Sequence, residues 1–317
     1  MNNSFPADKT EKIVHTFSLS DDKRNAFLKN ANEIISHHGG DNPEKIINAI
    51  SEYADCIADS KGQGYKPNIF QDTRGDITIT RIDPPCGSNT YILETKEGLL
   101  VVDSGYSCFA DELMQTIRSL YPNFDSMKKE MIITHIDMDH MGAIPYFDRV
   151  YLNETSKENF ILEKTGRINY RTKNPDRAPF YHVVEILTGY TTPSLSNIVL
   201  FDSIKPDHTQ PLSYIGELKT NGLTFAVYEG YGGHVEGSMV FIENEHGLMI
   251  TGDILINREG YTPCQLAYNR LPALLAGGSV NEDSKKAVTE RHAVYELLKK
   301  QKWLICPGHG AIFNSEE

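Results

Sequence analysis

Two long stretches near the start of the chain have apolar residues at helical spacing. In residues 21–38 the apolar positions recur every three or four residues until the pair Gly39-Gly40, and a second such stretch begins after Asn42-Pro43. The two stripes consist of Phe27, Ala31, Ile34 and Ile35, and of Ile46, Ile47, Ile50, Tyr53 and Ile57. A helix cannot cover its own apolar stripe. We therefore predict an N-terminal helical extension over residues 1–75, packed on the rest of the chain or on a second copy in a homo-oligomer.

A linker is predicted after these helices, and strands after the linker. Residues 62–75 are rich in Gly, Lys, Asn and Asp, which is typical of a flexible connection. From residue 76 the apolar positions alternate or form short continuous runs, as strands require. Strands are predicted at residues 77–82, 90–94, 99–102, 131–133, 223–228, 239–242, 248–250 and 303–305, and helices at residues 109–120 and 284–300. This order predicts an α/β (α+β) domain over residues 76–317, with sheets covered by helices.

Residues 154–215 have no regular apolar pattern. They contain five prolines and many polar and aromatic side chains. Two short helices would fit this composition, and so would a lid over a pocket, which long irregular segments often form. We favour a lid or an insertion within the domain.

Composition and charge exclude several classes of protein. The 317 residues are 39% hydrophobic and 23% charged, as in soluble globular proteins. The net charge of −12 is the opposite of what a nucleic-acid surface needs, and no apolar stretch approaches the ~20 residues of a membrane span. Five cysteines without a CxxC pair favour a reducing compartment. We therefore expect a cytoplasmic protein that acts on a small molecule, with neither nucleic acid nor a membrane as partner.

Candidate metal chemistry is concentrated in residues 134–142, Thr-His-Ile-Asp-Met-Asp-His-Met-Gly, which follow a predicted strand. Two imidazoles and two carboxylates on one loop can face two directions and bind two metal ions. Three later segments also place a ligand-type residue after a predicted strand: Gly-Gly-His234-Val-Glu-Gly-Ser, Thr-Gly-Asp253 and Gly-His309-Gly. A lone histidine in any of them is more often structural, but all four segments share the same design. The pattern favours a metal site.

These motifs resemble those of the metallo-β-lactamase-fold superfamily of metal-dependent hydrolases. That family combines an HxHxDH loop, a GHxxGS-type histidine, a TGD-type aspartate and a late GHG-type histidine, in the order found in residues 135–309. The resemblance covers about residues 76–317. It implies a four-layer αβ/βα sandwich with the metal ions at one edge.

The resemblance also implies a role for each motif residue. One metal ion would be held by His135, Asp137 and His234, a second by Asp139, His140 and His309, and Asp253 would bridge both. Asp103, in Val-Asp-Ser-Gly, matches the family's apolar-Asp-x-Gly turn, whose aspartate supports the ligands through hydrogen bonds. Asp139 and Asp253 would be the catalytic residues, with Asp139 able to accept a proton from the bridging water.

The sequence departs from the family pattern at Asp137, because HxHxDH becomes HxDxDH. Three carboxylates among seven ligands make a harder and more anionic site than a histidine-rich one, which favours iron or manganese beside zinc. A carboxylate at this place resembles flavo-diiron proteins and the hydrolase-like domains of DNA-uptake channel proteins.

We therefore expect two divalent metal ions (zinc, iron or manganese) whose bridging hydroxide hydrolyses an ester, thioester, lactone or phosphodiester. The alternative is a non-hydrolytic diiron protein that binds or reduces oxygen or nitric oxide. A degenerate binding module is a third hypothesis, which the complete ligand set disfavours. Tyr261, Cys264, Tyr268 and Arg270 are expected on a loop that borders the pocket, and weaker candidates for substrate contacts are His182, His208 and Arg270.

Overall fold

The computed structural model describes residues 4–315 and contains two sheets surrounded by helices. The helices are α1 Ala7–Phe17, α2 Asp21–His38, α3 Pro43–Asp59, α4 Ala110–Leu120, α5 Glu154–Lys164, α6 Ala178–Thr188, α7 Pro263–Asn269, α8 Leu271–Leu275 and α9 Ser284–Leu298. The strands are β1 Asn68–Arg74, β2 Ile77–Asp83, β3 Thr90–Thr95, β4 Gly98–Val102, β5 Glu130–Ile132, β6 Arg149–Leu152, β7 Ile198–Leu200, β8 Leu212–Thr220, β9 Leu223–Gly230, β10 Met239–Glu243, β11 Leu248–Gly252, β12 Leu304–Pro307 and β13 Phe313–Asn314. Strands β1 to β7 form one sheet in sequence order, and the other sheet has the order β13-β12-β11-β10-β9-β8.

Alternating apolar residues in the second sheet explain how the layers stack. Along β11, Leu248 and Ile250 point into the main core between the sheets, whereas Met249 points to the other face. That other face packs on α9 through Val294. Because successive side chains of a strand point to opposite faces, one continuous apolar run can serve both layers. Helix α4 contributes the fully buried Met114 to the main core. The predicted four-layer sandwich is confirmed.

The N-terminal helices pack on the rest of the chain. Helix α2 lies against α6, and α3 lies against α7 and α8. Both predicted stripes are buried, with Phe27 and Ile50 fully inaccessible to solvent. Of the two alternatives for these stripes, packing on the same chain is therefore the one observed.

The predicted linker contains a strand. Strand β1 pairs antiparallel with β2 over its whole length, from Asn68 opposite Asp83 to Arg74 opposite Ile77. Its side chains are almost all exposed, so the sequence shows no apolar alternation there. The glycine in the turn between the two strands, Gly75, has a φ of +61°, which suits a tight hairpin. The linker prediction for residues 62–75 was therefore wrong for β1.

The irregular segment contains the two helices α5 and α6, the short strand β7 and the beginning of β8. Helix α6 is almost wholly buried, and it lies between α2 and the site described below. No helix among residues 4–315 has the length and apolar character needed to cross a membrane.

Candidate metal centre

Four strand ends bring the candidate ligands to one edge of the sandwich. The segment that contains His135 and His140 follows β5, which belongs to the first sheet. His234, Asp253 and His309 follow β9, β11 and β12, which belong to the second sheet. The centre is therefore built from both sheets, and each ligand lies on a turn that leaves a buried strand.

One half of the centre is formed by two imidazoles and one carboxylate. The Nε2 atom of His234 is 3.3 Å from Oδ2 of Asp137, and Nε2 of His135 is 3.7 Å from the same oxygen. Asp253 closes this group, with its Oδ2 atom 3.6 Å from Nε2 of His234. The ligand-type atoms of His135, His234 and Asp253 lie within 4.8 Å of one another.

The other half has the same composition and shares Asp253. The Nε2 atom of His309 is 3.4 Å from Oδ2 of Asp139 and 3.3 Å from Oδ2 of Asp253. The Nε2 atom of His140 is 3.4 Å from Oδ1 of Asp253. The structure thus brings all seven predicted side chains together, with the carboxylate of Asp253 between the two halves.

Buried polar atoms without partners show that this arrangement fits bound cations. The Nε2 atoms of His135, His140 and His234 and the Oδ1 atom of Asp253 are buried and form no well-aligned hydrogen bond, although a carboxylate oxygen lies 3.3–3.7 Å from each of these nitrogens. A buried polar atom without a partner destabilises a fold by about 1–3 kcal/mol. Imidazole nitrogen and carboxylate oxygen are the ligands that zinc and iron accept, so cations would satisfy these atoms.

Asp103 orients two of the imidazoles. Its Oδ2 atom is 2.8 Å from Nδ1 of His140 and accepts a hydrogen bond of 2.7 Å from the hydroxyl of Thr134. The same hydroxyl oxygen is 3.0 Å from Nδ1 of His135. Since a hydroxyl that donates to Asp103 can only accept from His135, both imidazoles carry a proton on Nδ1, and their Nε2 atoms face the centre.

His234 is oriented by the segment around α9. Its Nδ1 atom is 3.0 Å from Oδ1 of Asn281, which again leaves Nε2 facing the centre. The carboxylate of Glu290, on α9, accepts a hydrogen bond of 2.8 Å from the N–H of Gly233. Sequence reasoning missed Asn281 and Glu290, because neither lies within a motif.

Asp137 is held by a tyrosine from the irregular segment. The Tyr170 hydroxyl is 2.9 Å from Oδ1 of Asp137 and 2.7 Å from the carbonyl oxygen of Ile136. The neighbouring Arg171 is buried and pairs with Glu163 at 2.6 Å. The hydrogen bond leaves Oδ2 of Asp137 directed at the imidazoles. Tyr170 was also missed, since the sequence around it gives no signal for this contact.

Burial and neighbouring charges shift the pKa values in this centre. Burial and the imidazoles of His140 and His234 lower the pKa of His135 well below its usual value. Burial also opposes charge on His140, but carboxylates, Asp253 foremost, raise its pKa well above the usual value. Burial disfavours the ionised form of Asp253, yet the imidazoles of His309 and His140 hold its pKa well below the usual range. Asp253 is therefore ionised at neutral pH, and divalent cations would replace the imidazolium of His140 as the positive charge that balances it.

A cavity of about 150 Å³ opens beside the centre and is lined by Asp137, Asp139, Asp253 and His309. Its other walls are mostly aromatic and aliphatic, and include Tyr106, Phe180, Tyr181, Val184, Tyr261 and Tyr268. Of the four residues predicted on a loop beside the pocket, Tyr261 and Tyr268 line the cavity, whereas Cys264 and Arg270 do not. Cys264 and Tyr268 lie on helix α7 rather than on a loop. No feature of the sequence marked the α6 residues Phe180 and Tyr181 as cavity residues.

The three weaker candidates for substrate contacts lie outside this cavity. His182, on α6, is half-exposed and faces Glu185 on the outer side of that helix. His208 is exposed and lines a separate surface depression. The exposed Arg270 forms an ion pair of 2.7 Å with Glu52 of α3. The structure thus gives these three residues no contact with the centre.

The chain is similar to several proteins of known structure. The B3 metallo-beta-lactamase BLEG-1 is 19% identical, with a TM-score of 0.44, over 78% of this chain and 94% of its own. A metallo-beta-lactamase from Pontibacter korlensis is 15% identical, with a TM-score of 0.48, over 78% and 93%. A flavoprotein from Thermotoga maritima is 15% identical, with a TM-score of 0.44, over 78% of this chain and 58% of its own length. The sequence model described as metallo-beta-lactamase superfamily matches residues 83–309, well over half of the chain, and the protein therefore belongs to that superfamily.

Proposed function

We propose that the protein is a dinuclear metal-dependent hydrolase that acts on an ester, thioester, lactone or phosphodiester. The position of Asp253 supports this most directly, because its carboxylate contacts imidazoles of both halves of the centre. Each half would hold one divalent cation, and the two cations would share this ligand. The adjoining cavity would bind the substrate.

The donor set determines which cations are candidates. His135, Asp137 and His234 would hold one cation, Asp139, His140 and His309 the other, and Asp253 both. When bound, such a pair supplies Lewis acidity and lowers the pKa of a bound water toward about 7. Carboxylates contribute three of the seven ligands, so iron and manganese are candidates together with zinc.

The protein groups around the cavity would supply the rest of the chemistry. Asp139 lines the cavity with its Oδ2 atom 3.4 Å from His309, and it would accept the proton that the nucleophilic water loses. Phe180 and Val184 would exclude further water and contact the apolar part of a substrate. Asp253 would fix the position of the two halves relative to each other, because its carboxylate contacts imidazoles of both.

Replacement of ligands tests this proposal. His135→Ala and Asp253→Ala should each reduce metal content and lower kcat/KM by more than about 100-fold, since loss of supporting residues alone costs about 10–100-fold. His182→Ala removes a half-exposed histidine outside the cavity and should change neither quantity. Metal analysis of the purified proteins, combined with assays on a panel of esters, lactones and phosphodiesters, measures both. Turnover that survives the loss of metal would refute the proposal.

A non-hydrolytic diiron protein that binds or reduces oxygen or nitric oxide is the second candidate. The carboxylate of Asp137, held toward the imidazoles by Tyr170, supports it, because a harder ligand set favours iron. Two irons per chain, an absorption band that depends on oxygen, and no hydrolysis of the panel would favour this function. Hydrolysis by the zinc-loaded or manganese-loaded protein would exclude it as the main activity.

A further inference from the structure

Two helices beside the cavity contact each other along one line and run in opposite directions. Helix α3 packs on α7, and Glu52 of α3 forms an ion pair of 2.7 Å with Arg270, which follows the last residue of α7. One residue further along α3, the ring of Tyr53 stacks on that of Tyr268, with centroids 5.7 Å apart. The contacts advance along α3 while they go back along α7. The two helices are therefore antiparallel.

The next turn along this line brings two cysteines opposite each other. Cys56 lies three residues after Tyr53, on the same face of α3, and Cys264 lies four residues before Tyr268, on the same face of α7. Each cysteine is thus one helical turn away from the stacked rings, on the same side of them. Cys264 is exposed, Cys56 is half-buried, and both are free thiols.

The electrostatics of Cys56 agrees with this placement. Burial raises the pKa of its thiol to about 11, and the thiolate of Cys264 is the charge that contributes most to this rise, ahead of the carboxylate of Glu52. Since the effect of one charge on another falls with distance, the two sulfur atoms lie close together. A thiol with a raised pKa stays protonated and reacts slowly with oxidants, so the exposed Cys264 is the one that an oxidant meets first.

The remaining cysteines are protected from oxidants. Cys86 is fully buried, and its Sγ atom is 3.8 Å from the carbonyl oxygen of Cys56, to which it donates a weak hydrogen bond. Burial raises its pKa well above the usual value. Burial also raises the pKa of Cys108 and Cys306. Among residues 4–315, Cys264 is therefore the exposed cysteine, and Cys56 is the half-buried thiol across the helix contact from it.

We infer that Cys56 and Cys264 form a redox modification site, which hydrogen peroxide closes into a disulfide between α3 and α7. The thiolate of Cys264 attacks the peroxide: an S–O bond forms, the O–O bond breaks, and the departing hydroxide takes up a proton and becomes water. The sulfur of Cys56 then attacks the sulfur of the resulting sulfenic acid, the S–O bond breaks, and water leaves with the proton of the Cys56 thiol. The two thiols lose two electrons, and the peroxide is reduced to two molecules of water.

This bond would tie a wall of the cavity to the N-terminal helices. Tyr268 and Asn269 of α7 line the cavity, whereas α3 lies outside the residues 83–309 that match the superfamily. A bond between positions 56 and 264 would also close a long loop of the chain, and a cross-link stabilises more when the loop it closes is longer. The inference needs no turnover, so it is independent of the proposed hydrolase function.

Peroxide treatment of the full chain tests this inference, with zinc as the only metal because zinc has no redox chemistry. Proteolysis without reductant, followed by mass spectrometry, should find one disulfide, between Cys56 and Cys264. Tm should rise by about 5 °C and fall back after dithiothreitol is added. Cys86→Ser should form the same bond, whereas Cys264→Ser should gain no stability from peroxide. In Cys56→Ser, the oxidation of Cys264 should stop at the sulfenic acid, which dimedone labels.

The disulfide map of the oxidised wild-type protein also shows whether the inference fails. It is overturned if Cys56 remains a free thiol, if Cys56 is joined to Cys86, or if Cys264 is joined to a second copy of the chain. This map needs no variant, so it decides the question even where a serine substitution prevents folding. A missing disulfide would leave the hydrolase function untouched, because that function is tested by the metal ligands and not by these thiols.

Discussion

Asp253 is the residue on which both halves of the candidate metal centre depend. Its two carboxylate oxygens lie 3.3–3.6 Å from imidazole nitrogens of His140, His234 and His309. The space around it admits no other side chain, because a Cβ atom at Gly308 would lie 2.0 Å from Oδ1 of Asp253. Position 308 therefore requires glycine, because the carboxylate of Asp253 approaches it so closely.

Tyr170 should contribute to metal affinity through Asp137. In Tyr170→Phe the hydrogen bond of 2.9 Å to Oδ1 of Asp137 is lost, and the carboxylate is free to turn away from the imidazoles. We expect metal affinity to fall by about 10-fold or more, as for other residues that support metal ligands. Competition with a chelator measures the affinity. Tyr190→Phe, which removes a phenol bonded to Glu163 in the same region, should leave affinity unchanged, and equal losses for both variants would contradict this role.

The seven candidate ligands could be predicted from sequence because each lies on a turn after an apolar run, beside other ligand-type residues. Asn281 and Tyr170 could not be predicted in this way. Each contacts a ligand far away in the sequence, and such contacts depend on how α9 and the irregular segment pack. The predicted substrate contact of His182 was wrong. Its helix lines the cavity, but this residue lies on the outer side of the helix.

At the scale of elements, the N-terminal helices support the walls of the cavity. Helix α2 packs on α6, which contributes Phe180 and Val184 to the cavity, and α3 packs on α7 and α8. Tyr53 of α3 reaches the cavity residues through its hydroxyl. These contacts join the first helices of the chain to the candidate site.

Loss of packing at α3 should destabilise the protein. Ile50 is fully buried in the core, and Ile50→Ala should lower the free energy of unfolding by about 2–5 kcal/mol. The matched change Ile161→Ala, on the exposed side of α5, should cost less than about 1 kcal/mol. Denaturant titration measures both values. Equal costs for the two variants would contradict the observed packing.

His246 joins the end of a strand in one sheet to a turn of the other sheet through two carboxylates. Its Nδ1 atom is 3.0 Å from Glu243 of β10, and its Nε2 atom is 3.0 Å from Asp76, in the turn before β2. Asp76 also pairs with Lys96 at 2.7 Å, and Glu245 lies beside the imidazole in the sequence. Both imidazole nitrogens already have partners, so this group does not provide a ligand set like that of the centre.

The stabilisation by His246 should depend on pH. Partial burial opposes its charge, but hydrogen bonds to Asp76 and Glu243 outweigh this effect and raise its pKa above the usual value. A raised pKa means that the stabilisation is complete below the unfolded-state pKa of about 6.5 and is lost as pH rises through the folded-state value. Wild-type protein should exceed His246→Gln in Tm at pH 6, and the difference should shrink toward pH 9. A difference that is constant or grows with pH would contradict this assignment.

Most strands with strong apolar patterns were predicted, although the short buried strand β6 was not. Strands such as β4 and β11 are buried on both faces, which gives continuous apolar runs. Strand β1 is exposed and polar, and the pairing of β8 with β9 is interrupted by a bulge between Tyr214 and Gly216. Pairing with a neighbouring strand, rather than local composition, determines such elements.

At the scale of the whole molecule, the candidate centre connects the two sheets. The segment after β5 comes from the first sheet, and the segments after β9, β11 and β12 come from the second. Cations that bind only the folded protein would therefore stabilise the packing of one sheet on the other. The order of the motifs along the sequence allowed this meeting point to be predicted through the family resemblance. That α2 and α3 pack on the helices beside the cavity could be seen only in the structure.

Anomalous diffraction from crystals of the zinc-loaded protein tests the central claim most directly, because it locates metal ions independently of activity. Our account predicts two peaks at one edge of the sandwich. One should lie beside the Nε2 atoms of His135 and His234, the other beside those of His140 and His309, with the carboxylate of Asp253 between them. A protein that is saturated with zinc but shows no peak between these side chains would contradict it.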